Sequence, residues 1–232
     1  MRDVVIAGYA RSPFHLAGKG ALARVRPDDL AAQVVRALVQ RTGVNPADLE
    51  DLLMGCAFPE GEQGFNIARL VGLLADLPQS VGGMTLNRFC GSSMSGIHYA
   101  AGQIQLGAGE AFICAGVESM SRVPMMGFNP MPNPALAEKS AAYMGMGDTA
   151  ENVAGKYGLS RAEQEEFAVL SQTKARDAIA AGKLADEIVP IVTKGGTVDA
   201  DGTPRPDTTA EALAGLKGSE EHTSELQSLS HL

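Results

Sequence analysis

The 232-residue chain lacks a basic excess, a long apolar run and any paired or metal-spaced set of cysteines. Each absence removes a class of function. With 19 Lys and Arg against 27 Asp and Glu the net charge is −8, so no basic stripe is available to meet nucleic-acid phosphates. No apolar run approaches the roughly 18 residues of a membrane span. Cys56, Cys90 and Cys114 form neither a CxxC pair nor a metal-ligand spacing, which points to a reducing compartment and no bound metal. The opening run Met-Arg-Asp-Val-Val-Ile starts as a strand and not as a signal peptide, so the expected location is cytoplasmic. The length allows one large domain or two small ones.

What is present is an alternation of strands and helices. Residues 3–9 read as a buried first strand. Pro27, Asp28 and Asp29 open a helix whose apolar face is Leu30, Ala31, Val34 and Leu38, and Gly43 ends it. Residues 52–56 form a second strand, 66–74 a helix, and 111–117 a further buried strand. This order predicts an α/β domain with a largely parallel sheet.

Between those elements lies the run Asn87-Arg88-Phe89-Cys90-Gly91-Ser92-Ser93-Met94. A short apolar strand, 83–86, leads into it. A helix leaves it with Met94, Ile97, Ala101 and Ile104 at spacings of three and four. Cys90 therefore sits where a strand turns into a helix, close to unpaired N–H groups that favour an anion. Gly91 beside it offers close approach of backbone and substrate. Taken bare, such a cysteine is weak evidence, because most lone cysteines in cytosolic proteins are small core hydrophobes.

After Glu118 the character changes: residues 119–147 hold four prolines and six methionines and show no period. So long a loop suggests function, and its methionines suit an adaptable apolar surface. Two helices follow, each opened by a capping-box pattern, Asp148 with Glu151 and Ser160 with Glu163. The second carries Phe167, Leu170 and Ile179 on its apolar face. Residues 188–192 read as a strand, 195–206 as a turn-rich loop and 208–216 as a helix. Residues 219–232 have no core face and add three acids and no base. The run 219–228 looks like the translation of a short-read sequencing adapter, so this tail is expected to be non-native or disordered.

These segments together resemble the thiolases, more narrowly the degradative 3-ketoacyl-CoA thiolases (acetyl-CoA acyltransferases). Six motifs carry the likeness in order: GCAFPEGEQGFNIARL at 55–70, NRFCGSSM at 87–94, AGVESMSRVPM at 115–125, MGDTAENVA at 146–154, SRAEQEEFAVLSQ at 160–172 and RPDTTAEALAGLK at 205–217. Ala115 stands where the family's motif usually has glycine. The resemblance implies an N-terminal thiolase domain: a mixed, largely parallel five-stranded sheet with helices on both faces, plus a loop domain, without the C-terminal half. The implied division is a core at 1–118, a loop domain with its return segment at 119–218, and the tail at 219–232.

It further implies that Cys90 is the nucleophile that takes an acyl group from coenzyme A, that Met146 lines the acyl/pantetheine pocket, and that Arg205 contacts the nucleotide end of CoA. Gly145 stands where short-chain biosynthetic relatives usually carry histidine, which favours the degradative branch and fatty-acid β-oxidation. No cofactor is bound covalently; coenzyme A is a substrate, and a homodimer or homotetramer is implied at full length. The Gly-His-Pro motif that supplies the family's base does not occur here, and the one Cys-x-Gly triplet, Cys114-Ala115-Gly116, lies in the apolar strand run 111–117 and not in the C-terminal half that carries the family's second cysteine. His98, eight residues past Cys90, lies about 12 Å along a helix, too far to serve, and is read as a partly buried packing residue. His15 is assigned no chemistry; Cys56 and Cys114 are expected buried and inert. The expected activity is that of a thiolase N-terminal fragment, inactive alone. The alternatives are a short-chain acetoacetyl-CoA thiolase and a non-catalytic acyl-CoA-binding module. Ketosynthases share the fold and a nucleophilic cysteine, but NRFCGSSM with MGDTAENVA points away from them.

Overall fold

The computed structural model describes residues 3–216, and the tail at 219–232 lies outside the described residues. Two compact units emerge: residues up to 130 with 184–203, and residues 131–183 with those from 204 on. The segment 184–203 thus groups with the first unit.

In the first unit, helix α1 (Pro27–Thr42) opens on proline at its first turn and closes at Gly43, whose φ of 66° suits glycine. Strand β1 (Asp51–Gly55), helix α2 (Ile67–Leu74), strand β2 (Gly82–Leu86), helix α3 (Ser92–Leu106) and strand β3 (Phe112–Gly116) follow. The strands form a parallel sheet in the order β2-β1-β3, with Gly55 level with Leu86 on one side and Gly116 on the other. Leu52 and Met54 face one side and pack with Ala31, Val35, Ile67, Ala68 and Val71 of α1 and α2. The alternate residue Leu53 faces α3 near Gly96. Helices therefore cover both faces, as is usual for a parallel sheet.

Two expectations fail here. The first concerns residues 3–9, which form no strand. Val5 and Ile6 are 79% and 78% exposed, and among the described residues no strand lies alongside to pair their backbone. The first ladder contact comes at Arg11, which bridges Ile188. The second concerns the five-stranded sheet. Besides the three parallel strands there is a separate antiparallel hairpin, β4 (Ile191–Thr193) with β5 (Gly196–Val198), the latter inside a stretch expected to be loop. The side chain of Gln33 fastens this hairpin to α1, accepting from the Val192 N–H at 2.8 Å and donating to its carbonyl at 3.2 Å.

The second unit is helical: α4 (Pro134–Lys139), α5 (Met146–Tyr157), α6 (Arg161–Ala180) and α7 (Ala210–Ala214). Ser160 and Glu163 form the expected capping box at α6. The Asp148–Glu151 pattern does not cap α5, which begins two residues earlier at Met146 with Gly145 as its cap. Phe167, Leu170 and Ile179 stay exposed instead of forming a core face.

Candidate active site

The three parallel strands end level with one another, and the segments that leave their carboxyl ends hold the candidate site, the usual place for ligands in open α/β sheets. From β1 comes 56–58, from β2 the turn 87–91, and from β3 the run 117–121.

Cys90 is exposed on the β2–α3 turn, with Gly91 as the helix cap and Ser92 as the first helical residue. Just before it, Phe89 holds φ at +44°, a left-handed conformation that an aromatic residue seldom adopts. Two side chains hold that turn. Asn87 Oδ1 accepts from the Phe89 N–H at 2.8 Å. Ser92 Oγ, almost wholly buried, donates to the Phe89 carbonyl at 2.6 Å and accepts from the Arg88 N–H at 2.8 Å. Neither residue was singled out from the sequence, although Asn and Ser are the residues that bond backbone locally in turns.

Helix α3 rests on the sheet through small residues, Ser92, Gly96 and Ala100. A Cβ on Gly116 would lie 2.1 Å from Ser93 Oγ, and one on Gly55 would lie 2.6 Å from Ser93 N. Close approach is therefore needed at Gly55 and Gly116. At Gly91, assigned that role from the sequence, φ is −91° and a Cβ would meet nothing nearer than 3.5 Å. On the apolar face read from the sequence, Met94 and Ile97 are 58% and 39% exposed, while Ala101 and Ile104 are partly buried. His98 is likewise exposed rather than partly buried.

The other cysteines are sheltered. Cys56 is buried, and burial, reinforced by the nearby Glu118 carboxylate, pushes its thiol up to about 12. Burial also pushes up the thiol of half-buried Cys114. Next to Cys56, the Ala57 N–H donates to Glu118 Oε2 at 2.7 Å, and fully buried Gln63 donates to Glu118 Oε1 at 2.8 Å. His15 meets the Ala200 carbonyl at 3.1 Å. Arg11 spans Glu187 and Asp201.

Met146 and Arg205 belong to the second unit, whereas Cys90 belongs to the first. Met146 is the first residue of α5 and is 78% exposed. Arg205 is exposed, and its backbone N–H donates to Gln172 of α6 at 2.8 Å. Among the described residues no group of His, Cys, Asp and Glu is placed to hold a metal ion, and no helix is long and apolar enough to cross a membrane.

Fold and site define an α/β domain that presents an exposed cysteine at a strand-to-helix turn above a parallel sheet. Residues 4–221 match the family described as Thiolase, N-terminal domain, and the chain belongs to the thiolase family. It is 47% identical over 231 residues to the 3-ketoacyl-CoA thiolase of Bacillus subtilis (strain 168), covering 94% of this chain and 59% of that protein. The 3-ketoacyl-CoA thiolase of Saccharophagus degradans is 42% identical over 223 residues, with 93% and 57% covered. The crystal structure of the Bacillus anthracis acetyl-CoA acetyltransferase superposes with a TM-score of 0.81 at 38% identity, covering 92% of this chain and 58% of that one. The chain thus spans rather more than half the length of these relatives.

Proposed function

We propose that this chain supplies the nucleophile-bearing half of a 3-ketoacyl-CoA thiolase, with Cys90 as the nucleophile. The observation that carries the reading is the turn itself. It is strained at Phe89, held by Asn87 and Ser92, and leaves Cys90 exposed while the other two thiols are buried or half-buried. In the reaction the Cys90 thiolate attacks the 3-keto carbonyl and the C2–C3 bond breaks. The departing two-carbon unit takes up a proton and leaves as acetyl-CoA. The acyl group stays on sulfur as a thioester. The thiol of a second CoA gives up its proton and attacks that carbonyl, releasing acyl-CoA and restoring Cys90. A thioester is exchanged for a thioester of similar energy, so a thiol nucleophile makes the transfer reversible. N–H groups around the turn are suited to stabilise the developing oxyanion.

Met146 and Arg205 are assigned to the acyl/pantetheine and nucleotide ends of CoA. The base comes from a Gly-His-Pro motif that this sequence does not contain, and the one Cys-x-Gly triplet, Cys114-Ala115-Gly116, holds a half-buried thiol on β3, so the chain alone carries out little thiolysis. The substrate is a degradative 3-ketoacyl-CoA, and the whole enzyme is a homo-oligomer.

Alkylation of the 232-residue chain with iodoacetamide, resolved by peptide mass spectrometry, tests the nucleophile. Cys90 should label well ahead of Cys56 and Cys114; equal labelling of all three at neutral pH refutes it. Chain-length preference is read by comparing thiolysis of acetoacetyl-CoA with that of a long 3-ketoacyl-CoA in the full-length protein that carries the Gly-His-Pro base. A strong preference for acetoacetyl-CoA would make it a short-chain enzyme.

A further inference from the structure

We propose that Glu118 is a positioning residue for Cys90, acting through Gln63 and the Ala57–Phe58 segment without touching substrate. The proposal rests on Cys90 being the nucleophile. Glu118 follows β3, whereas Cys90 follows β2, and β1 lies between those strands. A chain of hydrogen bonds crosses that gap. Among the described residues the Glu118 carboxylate meets no cation. Instead it accepts from the Ala57 N–H at 2.7 Å and from Gln63 Nε2 at 2.8 Å. Gln63 is fully buried and has its polar atoms engaged on both sides: Nε2 also donates to the Phe58 carbonyl at 2.8 Å, and Oε1 accepts from the Ser119 N–H at 2.6 Å.

The segment so held reaches residue 89 twice. The Ala57 carbonyl accepts from Asn87 Nδ2 at 2.9 Å, and the same Asn87 accepts from the Phe89 N–H. The Phe58 ring packs against the Phe89 ring with centroids 5.8 Å apart. A carboxylate suits this role because both of its oxygens accept, so it holds two donors at once. A carboxamide has one acceptor oxygen and must release or repel one of them. Loss of either bond frees the Ala57–Phe58 segment, and with it the side chain that sets the Phe89 backbone next to Cys90.

The test measures Cys90 alkylation by iodoacetamide against pH in the 232-residue chain, with melting followed in parallel. Glu118→Gln should slow Cys90 about tenfold across the pH range, with Cys56 and Cys114 still slow. Glu118→Asp, which keeps the charge and both acceptors, should lose less. Asn87→Ala cuts one of the two routes and should slow Cys90 no more than Glu118→Gln, and the double variant should lose less than the product of the two singles, because both act through the Asn87 contact. A lowered melting temperature with an unchanged Cys90 profile would make Glu118 merely structural and overturn the proposal. So would single losses that multiply in the double variant. If Glu118→Gln does not fold, Glu118→Asp and Asn87→Ala decide, and an unchanged Cys90 profile in both defeats the proposal. If Cys90 in the unsubstituted chain labels no faster than the other two, the nucleophile reading itself fails and takes this proposal with it.

Discussion

The first turn of α3 rests on β1 so closely that a Cβ on Gly55 would lie 2.6 Å from the backbone nitrogen of Ser93. The contact is backbone against backbone, so neither side can move away by changing rotamer. Gly55→Ala should therefore lift the start of α3, destabilise the chain by about 2 kcal/mol, and slow Cys90 alkylation. Denaturant titration and labelling of the same sample check both effects.

Ser92→Ala removes the acceptor of the Arg88 N–H and the donor to the Phe89 carbonyl. The left-handed Phe89 loses part of what holds it. A loss of about 2 kcal/mol in stability is expected, with slower Cys90 labelling. Ser92→Thr keeps the hydroxyl and should retain more of both.

Asp201 accepts both terminal guanidinium nitrogens of Arg11 at 2.8 Å and the Phe14 N–H at 2.8 Å. The hydrogen bonds to Arg11 hold its carboxyl below the usual carboxylate range. The stability this confers is fully present above the unfolded-state value of about 3.9 and is lost as pH falls through the lower folded value. Asp201→Asn should cost about 2 kcal/mol at pH 7. The gap to the unsubstituted chain should close below about pH 4, as thermal melts across pH will show.

Cys56, with its thiol pushed up to about 12, should stay unlabelled by iodoacetamide at pH 8 in the folded chain and label promptly once denatured. Peptide mapping with and without denaturant gives the comparison. Rapid labelling of native Cys56 would contradict the burial seen here.

Met94, Ile97, Tyr99 and Leu106 stand exposed on α3, as do Val5 and Ile6 near the amino terminus. Apolar surface of this kind promotes association. The chain should bind a hydrophobic dye and self-associate with rising concentration by light scattering. Met94→Lys with Ile97→Lys should suppress both without lowering the melting temperature. A chain that stays monomeric and dye-free would count against an uncovered α3 face.

The sequence by itself determined the pieces and their order. Apolar runs bounded by glycine placed β1, β2 and β3, Pro27 and Gly43 bounded α1, Ser160 with Glu163 started α6, and Cys90 fell at the strand-to-helix turn. These are local signals, set by propensity and capping within a few residues. Only the tertiary structure decided the strand order, the exposed 3–9 segment and the separate hairpin, since backbone pairing depends on partners distant in sequence. It also decided which side of α3 is buried. The apolar periodicity of Met94, Ile97, Ala101 and Ile104 marks a helix, but the buried side carries the small residues Ser92, Gly96 and Ala100, with the first turn set close against Gly55. Asn87, Ser92, Gln63 and Glu118 were illegible as a group for the same reason. Hydrogen bonds linking three strand ends leave no period in the chain and exist only once β2-β1-β3 has formed.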